Sequence, residues 1–374
     1  MKPKIKDIMK PIYINDKIIF GTQSSSIEIE DKDKEIFNLI KLFNGENTIE
    51  EIYIKSKETK KYIQEIISIL NENLLIEDME LDCDTLSELQ KNRYKTNLNY
   101  FSNYSNLVKS KYFYQKKLIN STVAIIGVGG ASLLATSLAT MGIGKLILVD
   151  YDCIELSNLS RQIPYFESDI GKYKVEVAKE KIKSMNSSVD VEIFNSKITC
   201  ASDLKEIIKE ADIVVNGIDA PAIESARWVN YECMRNNKIM IQGGIGADCI
   251  IIEKYTNEKG CYDCFLMNAL KEDNEFEAQL NFAYSKGFKD VNTSYSPNII
   301  ILTGLLSSEI GKILGGYGDT INSNYTMHFN TNTYEISYIN KSNKVGTCPT
   351  CGIDENTSKE PIEISKLINL ARKL

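Results

Sequence analysis

The chain has 374 residues, enough for two domains of ordinary size, and its 43% hydrophobic and 25% charged content excludes an intrinsically disordered protein. No apolar run in the sequence reaches bilayer length and the N-terminus lacks the apolar segment of a signal peptide, so we expect a cytoplasmic protein without a membrane partner. The formal net charge of -7 gives no electrostatic basis for a nucleic-acid partner, although a local basic patch remains open.

The N-terminal residues predict a small α+β module. Residues 12–30 alternate apolar and polar side chains, which indicates two or three short strands, with turns at Asn15–Asp16 and at residues 21–24. Helical periodicity then appears in three segments, residues 33–45, 48–56 and 57–78, the last capped near Ser56 or Lys57. A short β-ribbon followed by three short helices is the element order of a winged-helix-like module, which we assign to residues 1–80.

Such a module could bind DNA or a peptide, or it could have only a structural role in packing. In a DNA-binding winged helix, the segment Glu58–Ile66 would enter the major groove. It has lysines nearby but no arginine, the usual reader of base edges, so DNA binding is disfavoured. An exposed edge of the ribbon instead offers unpaired backbone groups to which an extended peptide can add.

The rest of the chain predicts a helical linker and a large α/β domain. An acidic stretch at residues 78–84 leads into a polar, aromatic-rich helix at residues 86–119, so that residues 81–120 form a linker and dimer-contact region. Residues 121–374 then alternate strands and helices, including helices at 131–141 and near 172–185 and another before the strand at 211–219. This βαβ repetition predicts a Rossmann-like, doubly wound domain with a mainly parallel sheet.

Glycines after the first of these strands suggest nucleotide binding. Gly127, Gly129 and Gly130 separate a predicted strand from a predicted helix, where glycine lets the backbone approach phosphates. Tight turns without a ligand can show the same glycines. Asp150 ends the next predicted strand, where it could accept hydrogen bonds from ribose hydroxyls.

The residues that follow favour phosphate chemistry over hydride transfer. Asn158, Arg161, Gln162 and Lys174 come shortly after the ribose carboxylate. Two cations can neutralise charge that develops when a nucleophile attacks an α-phosphate, whereas hydride transfer gains nothing from them. Asp219 ends a later strand and could hold Mg²⁺. The alternative is a surface ion pair between Arg161 and Asp219.

These motifs resemble those of the ubiquitin-activating-enzyme-like (ThiF-type) adenylyltransferases that serve sulfur-carrier proteins. The similarity covers about Arg93–Gly352 and includes the G-x-G-G run, the string D-x-D-x-I-x-x-S-N-L-x-R-Q, a G-x-x-K element and the aspartate after the fourth strand. It implies ATP and Mg²⁺ as cofactors and a homodimer. The implied roles are phosphate binding by Gly127, Gly129 and Gly130, ribose binding by Asp150, contacts with the triphosphate and acyl carboxylate by Asp152, Asn158, Arg161, Gln162 and Lys174, and Mg²⁺ binding by Asp219.

The sequence departs from the family pattern at two positions. Ser132 replaces the usual last glycine of the run, which requires the following helix to pack slightly farther from the sheet. Thr96 stands where family members often place an arginine that reaches into the partner subunit's active site. Arg93 or Lys95 could substitute for it.

Four of the nine cysteines form two C-x-x-C pairs, Cys261 with Cys264 and Cys348 with Cys351. Two such pairs predict a tetrahedral Zn²⁺ site, against the alternatives of a redox pair or unrelated core thiols. The family resemblance agrees, and implies that the zinc staples the C-terminal tail to the sheet.

Other residues disfavour a thioester intermediate and most hydrolase mechanisms. Some relatives form a thioester on a cysteine after the first pair, but no cysteine occurs between Phe265 and Thr347. The remaining thiols considered are expected in or near core elements and inert: Cys153, Cys200, Cys233 and Cys249. The single histidine, His328, disfavours most hydrolase schemes and falls in a predicted strand. Residues 271–290 are expected to form a loop over the acyl substrate or a solvated loop.

The substrate is indicated by the extra N-terminal residues. Residues 13–78 resemble the leader-binding modules of enzymes that modify ribosomally made peptides, and the whole chain most resembles the adenylyltransferases of microcin C-type antibiotics. This resemblance implies a short precursor peptide as partner, adenylylated on its C-terminal carboxylate to give a peptide-nucleotide. Three alternatives remain open: activation of a ubiquitin-like sulfur carrier, dehydration of a tRNA base and non-catalytic peptide docking.

Overall fold

The computed structural model describes residues 1–21, 26–273, 275–284, 292–341, 343–352 and 360–374. Within it the chain forms two compact units. The first comprises residues 1–118 and 315–318, and the second comprises residues 119–314 and 319–374.

The first unit combines small sheets with short helices. In its described residues the strands are β1 (Pro3–Ile5), β2 (Pro11–Ile14), β3 (Lys17–Phe20), β4 (Ile27–Glu30) and β5 (Ile76–Asp78). The helices are α1 (Glu35–Ile40), α2 (Ile49–Ser56), α3 (Lys60–Glu72), α4 (Glu88–Arg93), α5 (Lys95–Phe101) and α6 (Lys111–Ile119). Strands β2, β3 and β4 form one antiparallel sheet, and β1 pairs with β5.

Local sequence explains most boundaries of this unit. Asn15 and Asp16 both have positive φ, 49° and 59°, as a two-residue hairpin turn between β2 and β3 requires. Helix α3 is capped by Thr59, whose side chain accepts from the Tyr62 amide, so the predicted cap at Ser56 or Lys57 is wrong. Lys57 instead takes the left-handed conformation that ends α2. The predicted turn at residues 21–24 lies mostly outside the described residues.

The predicted single helix at residues 86–119 is wrong, because the structure has three helices there. Tyr94 leaves helical geometry between α4 and α5, and an Asn- and Ser-rich stretch separates α5 from α6. The aromatic side chains of this segment instead form a cluster. Tyr100, Phe101, Tyr104 and Tyr114 all lie with ring centroids 5.0 to 6.2 Å from that of Tyr317.

The second unit has the predicted α/β architecture. Its strands in the described residues are β6 (Thr122–Ile126), β7 (Lys145–Val149), β8 (Asp190–Phe194), β9 (Ile213–Asn216), β10 (Ile239–Ile245), β11 (Cys249–Tyr255), β12 (Tyr325–Asn330) and β13 (Ile336–Asn340). The helices are α7 (Ser132–Met141), α8 (Lys174–Met185), α9 (Ala222–Arg235), α10 (Tyr262–Glu272), α11 (Phe276–Ala283), α12 (Ser296–Gly315) and α13 (Ile364–Ala371).

One eight-stranded sheet organises this unit, in the order β13-β12-β11-β10-β9-β6-β7-β8. The five strands from β10 to β8 are parallel and the other three are antiparallel. The parallel strands are nearly continuous in buried apolar residues, as expected when helices cover both faces. The predicted fold class is therefore confirmed.

Two predictions for this unit are wrong. The helix expected before β9 is a short 3-10 turn at Ala201–Leu204 followed by turns. The loop expected at residues 271–290 contains α11, while residues 274 and 285–290 lie outside the described residues. Among the described helices, α12 is long and apolar enough to cross a bilayer, a length and composition that buried core helices share. His328 lies on β12 as predicted.

Candidate active site at the ends of the parallel strands

The order of the parallel strands reverses between β6 and β9, which is where open α/β sheets bind ligands beyond the strand ends. Gly127 follows β6 and Gly217 follows β9. A Cβ built on Gly127 would lie 2.6 Å from the carbonyl carbon of Gly217, so the two backbones are in contact. Gly127 also has φ +93°, which favours glycine. Sequence reasoning missed Gly217, although it follows a parallel strand just as Gly127 does.

The loop after β6 is held by Asp150, which follows β7. Its Oδ2 accepts from the amides of Val128 at 2.8 Å and Gly129 at 3.1 Å, and its Oδ1 accepts from the amide of Asp152 at 2.9 Å. Asp150 therefore shapes the glycine loop directly, a contact not predicted from the sequence. Of the roughly four lone-pair sites of the carboxylate, one on Oδ1 stays available for a ribose.

Two polar side chains converge on the same loop. The position of a Cβ on Gly129 lies 3.1 Å from Nε2 of Gln162 and 3.5 Å from Nζ of Lys174. Lys174 is the first residue of α8, has a buried side chain and pairs with Asp152 at 2.9 Å. The structure thus brings together five residues that the sequence placed at the nucleotide: Gly129, Asp150, Asp152, Gln162 and Lys174.

The loop has room and polar groups for a triphosphate. A Cβ on Gly130 would meet no atom within 4 Å, so space is open above it. The Oε1 atom of Gln162 is buried and has no hydrogen-bond partner among the described residues. Ser132 opens α7, and its buried hydroxyl is likewise unpartnered in the described part of the chain. Oε1 of Gln162 can only accept a hydrogen bond, whereas Nε2 of Gln162 and the Ser132 hydroxyl can donate to phosphate oxygens. These donors and the open cradle therefore fit ATP.

A turn between β7 and α8 carries two further predicted residues. Asn158 ends a 3-10 turn and is buried, and its Oδ1 accepts from the amide of Glu155 at 3.1 Å. Its carbonyl accepts from the amides of Arg161 at 3.0 Å and Gln162 at 2.9 Å, so Asn158 shapes this turn. The guanidinium of Arg161 donates to the carbonyl of Ser157 at 3.0 Å.

Asp219 lies at the same edge of the sheet, in the loop between β9 and α9, and is exposed. The ion pairs between described residues do not include one with Arg161, so that alternative finds no support. A single exposed carboxylate at this edge fits Mg²⁺, which is usually held by one or two carboxylates together with substrate phosphates.

The four predicted zinc ligands form one buried cluster. The Sγ atoms lie 3.9 Å apart for Cys261 and Cys264, 3.6 Å for Cys261 and Cys348, and 3.3 Å for Cys264 and Cys351. Tetrahedral Zn²⁺ with bonds of about 2.3 Å has sulfurs about 3.8 Å apart, so the donor set fits the ion. Cys264 also accepts from the amide of Val345 at 3.4 Å. Such a closed site leaves no position for a reactant.

The expectation for the other thiols is only partly met. Cys233 is buried, and its burial raises the pKa of the thiol well above the ordinary range. Cys200 and Cys249 are half-buried, and Cys153 is exposed, so Cys153 is not the core residue that was expected. Cys153 lies in the loop that follows β7, where the alternation of apolar residues that predicts a strand no longer indicates which side chains are buried.

Arg93, Lys95 and Thr96 belong to the first unit. Arg93 ends α4, whereas Lys95 and Thr96 open α5. The replacement for the family arginine at Thr96 stays a prediction.

Comparison with known proteins identifies the family of the chain. The sequence profile of the ThiF family matches residues 94–350, more than half of the chain. The chain belongs to the ThiF family. This confirms the resemblance inferred from the motifs, and the matched residues include the glycine loop, the Asp150 region and the first cysteine pair.

Individual members of the family extend the comparison. A probable molybdopterin-synthase adenylyltransferase of Porphyra purpurea is 39% identical over 35% of this chain and 34% of its own length. The sulfur carrier protein ThiS adenylyltransferase of Escherichia coli K12 is 32% identical over 40% of this chain and 60% of its own. The chain thus spans about a third to three fifths of these two relatives.

A solved structure matches nearly the whole of this chain. The structure of E. coli MccB with AMPCPP and MccA has a TM-score of 0.74 and 26% identity, and the match covers 94% of this chain and 100% of MccB. The similarity therefore includes residues of both units.

Proposed function

We propose that this ThiF-family protein is an ATP-dependent peptide adenylyltransferase. The observation that carries the proposal is the convergence of Gln162 and Lys174 on the glycine loop, at the sheet edge where Asp219 also lies. The match to E. coli MccB across both units supports a peptide as the acyl substrate, because that protein was solved with AMPCPP and MccA. We place the enzyme in the cytoplasm as a homodimer.

The reaction we propose begins with attack of the peptide's C-terminal carboxylate on the α-phosphorus of ATP. A phosphorus–oxygen bond forms to the carboxylate, and the bond to the β-phosphate oxygen breaks to release pyrophosphate. Lys174 and Arg161 neutralise charge on the transferring phosphoryl group. Asp219 would hold Mg²⁺, which shields the charge of the leaving pyrophosphate. Asp150 and the glycine loop position the nucleotide.

The zinc site has a structural role in this proposal. The two cysteine pairs lie on α10 and on the segment before α13, 84 or more residues apart in the numbering, so a bound Zn²⁺ would join distant parts of the second unit. Closed four-cysteine sites contribute folding energy and offer no open coordination position.

The peptide is proposed to add as a strand to β4 in the first unit. The other edge strand of that sheet, β2, carries Pro11, which has no N–H to pair. The two-residue turn makes Ile14 and Lys17 a hydrogen-bonded pair, so the backbone groups of Lys17 point to β2. Backbone N–H and C=O groups point to alternate sides of successive residues along a strand. Following this alternation from Lys17 along β3 and across the register to β4 places the backbone N–H of Glu28 on the outer side of β4, away from β3.

A proline at position 28 tests this edge. Glu28→Pro removes the outward N–H without removing a bond to β3, whereas Glu28→Ala removes the same side chain, with its 2.9 Å ion pair to Lys17, and keeps the N–H. Calorimetric titration should show weaker peptide binding for the proline variant only, with ATP binding retained by both. Equal peptide binding by both variants would exclude strand addition at β4.

Activation of a sulfur-carrier protein is the second candidate, favoured by the relatives named for that activity. Release of pyrophosphate that depends on a folded carrier ending in Gly-Gly, and not on a short peptide, would support it. ATP binding without release of pyrophosphate by any acyl partner would instead support a peptide-docking protein.

The catalytic claim is tested by exchange of labelled pyrophosphate into ATP in the presence of peptide. Asp219→Asn should reduce exchange by about a hundredfold, in the range found for loss of one charge-stabilising group. Asp190→Asn is a matched control, since Asp190 is an exposed aspartate at the opposite end of a strand of the same sheet. Equal exchange by the two variants would remove Asp219 from the mechanism.

A further inference from the structure

A row of polar side chains crosses four strands inside the second unit. The row consists of Asn216 on β9, Gln242 on β10, Glu253 on β11 and Thr326 on β12. Asn216 and Gln242 are register partners, as are Gln242 and Glu253, and Thr326 is next in register opposite Glu253. The site described above uses none of these four residues.

Each neighbouring pair in this row is hydrogen-bonded. The Thr326 hydroxyl donates to Oε1 of Glu253 at 2.9 Å, and Nε2 of Gln242 donates to Oε2 of Glu253 at 2.7 Å. Nδ2 of Asn216 donates to Oε1 of Gln242 at 3.2 Å. Asn216, Glu253 and Thr326 are at most 7% exposed, so water does not replace these partners. Unpaired polar groups at this depth are costly, which favours one complete arrangement.

The carboxylate of Glu253 determines how the side-chain amides in the row are oriented. An ionised carboxylate only accepts hydrogen bonds, so Gln242 must turn its amide nitrogen toward Glu253 and its oxygen toward Asn216. Asn216 must then turn its own nitrogen toward Gln242. Its oxygen is left facing the chain that follows β9, where it accepts from the amide of Ile218 at 3.3 Å.

The row therefore ends at the switch point of the sheet. Ile218 lies between Gly217, whose backbone touches Gly127, and Asp219. We propose that Glu253, acting through Gln242 and Asn216, is a positioning residue that orients the Asp219 loop for Mg²⁺ and nucleotide. This inference rests on the proposed role of Asp219, but the orientation of the loop can be measured without any reaction.

The near-isosteric substitution Glu253→Gln tests the direction of the row. It keeps the size of the side chain and one acceptor oxygen, but an amide at position 253 no longer dictates how Gln242 points. Hydrogen exchange of the free protein should show faster exchange for the peptide that contains Ile218. With Mg²⁺, ATP and peptide, the concentration of Mg²⁺ for half-maximal pyrophosphate exchange should rise about tenfold, as for loss of outer-shell partners.

A double substitution separates positioning from packing. Combining Gln242→Glu with Glu253→Gln places the acceptor-only group at position 242, where it again fixes the nitrogen of Asn216 inward. This variant should restore both slow exchange at Ile218 and the wild-type Mg²⁺ requirement. Thr326→Val, which leaves the direction unchanged, serves as the control and should resemble wild type in both measurements.

These measurements distinguish failure of this inference from failure of the proposed function. Wild-type exchange rates at Ile218 and an unchanged Mg²⁺ requirement in the Glu253→Gln variant would overturn the inference. Failure of the double substitution to restore a defect in a folded variant would also overturn it. Absence of pyrophosphate exchange in the wild type would instead defeat the proposed function, while the Ile218 exchange rates would still decide whether the row orients this loop.

Discussion

The carboxylate of Asp150 accepts a hydrogen bond from the backbone amide of Val128, with 2.8 Å between Oδ2 and N. The same oxygen accepts from the amide of Gly129. The residue expected to bind ribose therefore also fixes the glycine loop, which is expected to hold the phosphates. One side chain can thus prepare two parts of a nucleotide site.

Replacing Asp150 with alanine should affect both stability and nucleotide binding. Asp150→Ala leaves buried loop amides without an acceptor, which typically costs about 1–3 kcal/mol of unfolding free energy per group. ATP affinity, measured by calorimetry, should fall because the loop is no longer held. Asp150→Asn keeps one acceptor oxygen and should lose less stability in urea unfolding. Equal stability of the alanine variant and wild type would contradict the holding role.

Two glycines of the loop should respond differently to alanine. Gly127→Ala places a Cβ 2.6 Å from the Gly217 backbone at a φ of +93°, so we expect a clear loss of thermal stability. Gly130→Ala meets nothing within 4 Å and should keep its melting temperature, but the added methyl group would occupy the space proposed for phosphate and weaken ATP binding. A Gly130→Ala variant with wild-type ATP affinity would place the phosphates elsewhere.

Zinc should be bound in one equivalent per chain and should hold the C-terminal residues in place. Cys348→Ser, or treatment with a strong chelator, is expected to release the metal, because three thiolates cannot complete the closed site. Metal analysis and the rate of proteolysis near the C-terminus measure the two effects. Cys200→Ser, at a half-buried thiol outside the cluster, is the control. Full zinc content after Cys348→Ser would contradict the assignment.

The buried Lys6 predicts a pH dependence of stability. Its Nζ donates to the carbonyls of Ser102 and Ser105 at 2.6 Å each, and burial lowers its pKa from 10.5 to about 8, against the opposing effect of Glu77. Between these values the unfolded chain binds a proton that the folded chain does not. The contribution of Lys6 to unfolding free energy therefore rises with pH over that window, by about 3 kcal/mol at most.

Urea unfolding at pH 7.5 and pH 10 checks this sign. The stability of the wild type relative to the Lys6→Met variant should increase at the higher pH. Lys10→Met removes an exposed lysine and should show no such change. A difference between wild type and Lys6→Met that is independent of pH would show that Lys6 keeps an ordinary pKa in the folded protein.

The sequence predicted the parts of the fold that depend on short-range patterns. The glycine run after β6, Asp150 after β7 and the paired cysteines each lie within a few residues of the element that explains them. Residues 86–119 were mispredicted because their aromatic side chains pack around Tyr317, a partner far away in the sequence. Helical periodicity does not reveal such a partner.

The residues that the sequence did not predict also depend on partners that are far away in the sequence. Gly217 matters because its backbone touches Gly127, and Glu253 because of its register with Gln242 on the next strand. Both relationships require the strand order of the sheet, which the βαβ pattern alone leaves open. The sequence thus located the glycine loop, and the structure supplied the contacts that shape it.

The most direct test of the central claim is the intact mass of a short peptide encoded beside the gene, after incubation with the protein and magnesium-ATP. The proposed reaction leaves an adenylate on the C-terminal carboxylate as a mixed anhydride, so the peptide should gain a nucleotide-sized mass when it is recorded at once, before this anhydride hydrolyses. The gain should be absent with Lys174→Met, which removes the cation beside Gly129. An unchanged peptide mass, with no release of pyrophosphate, would contradict the account.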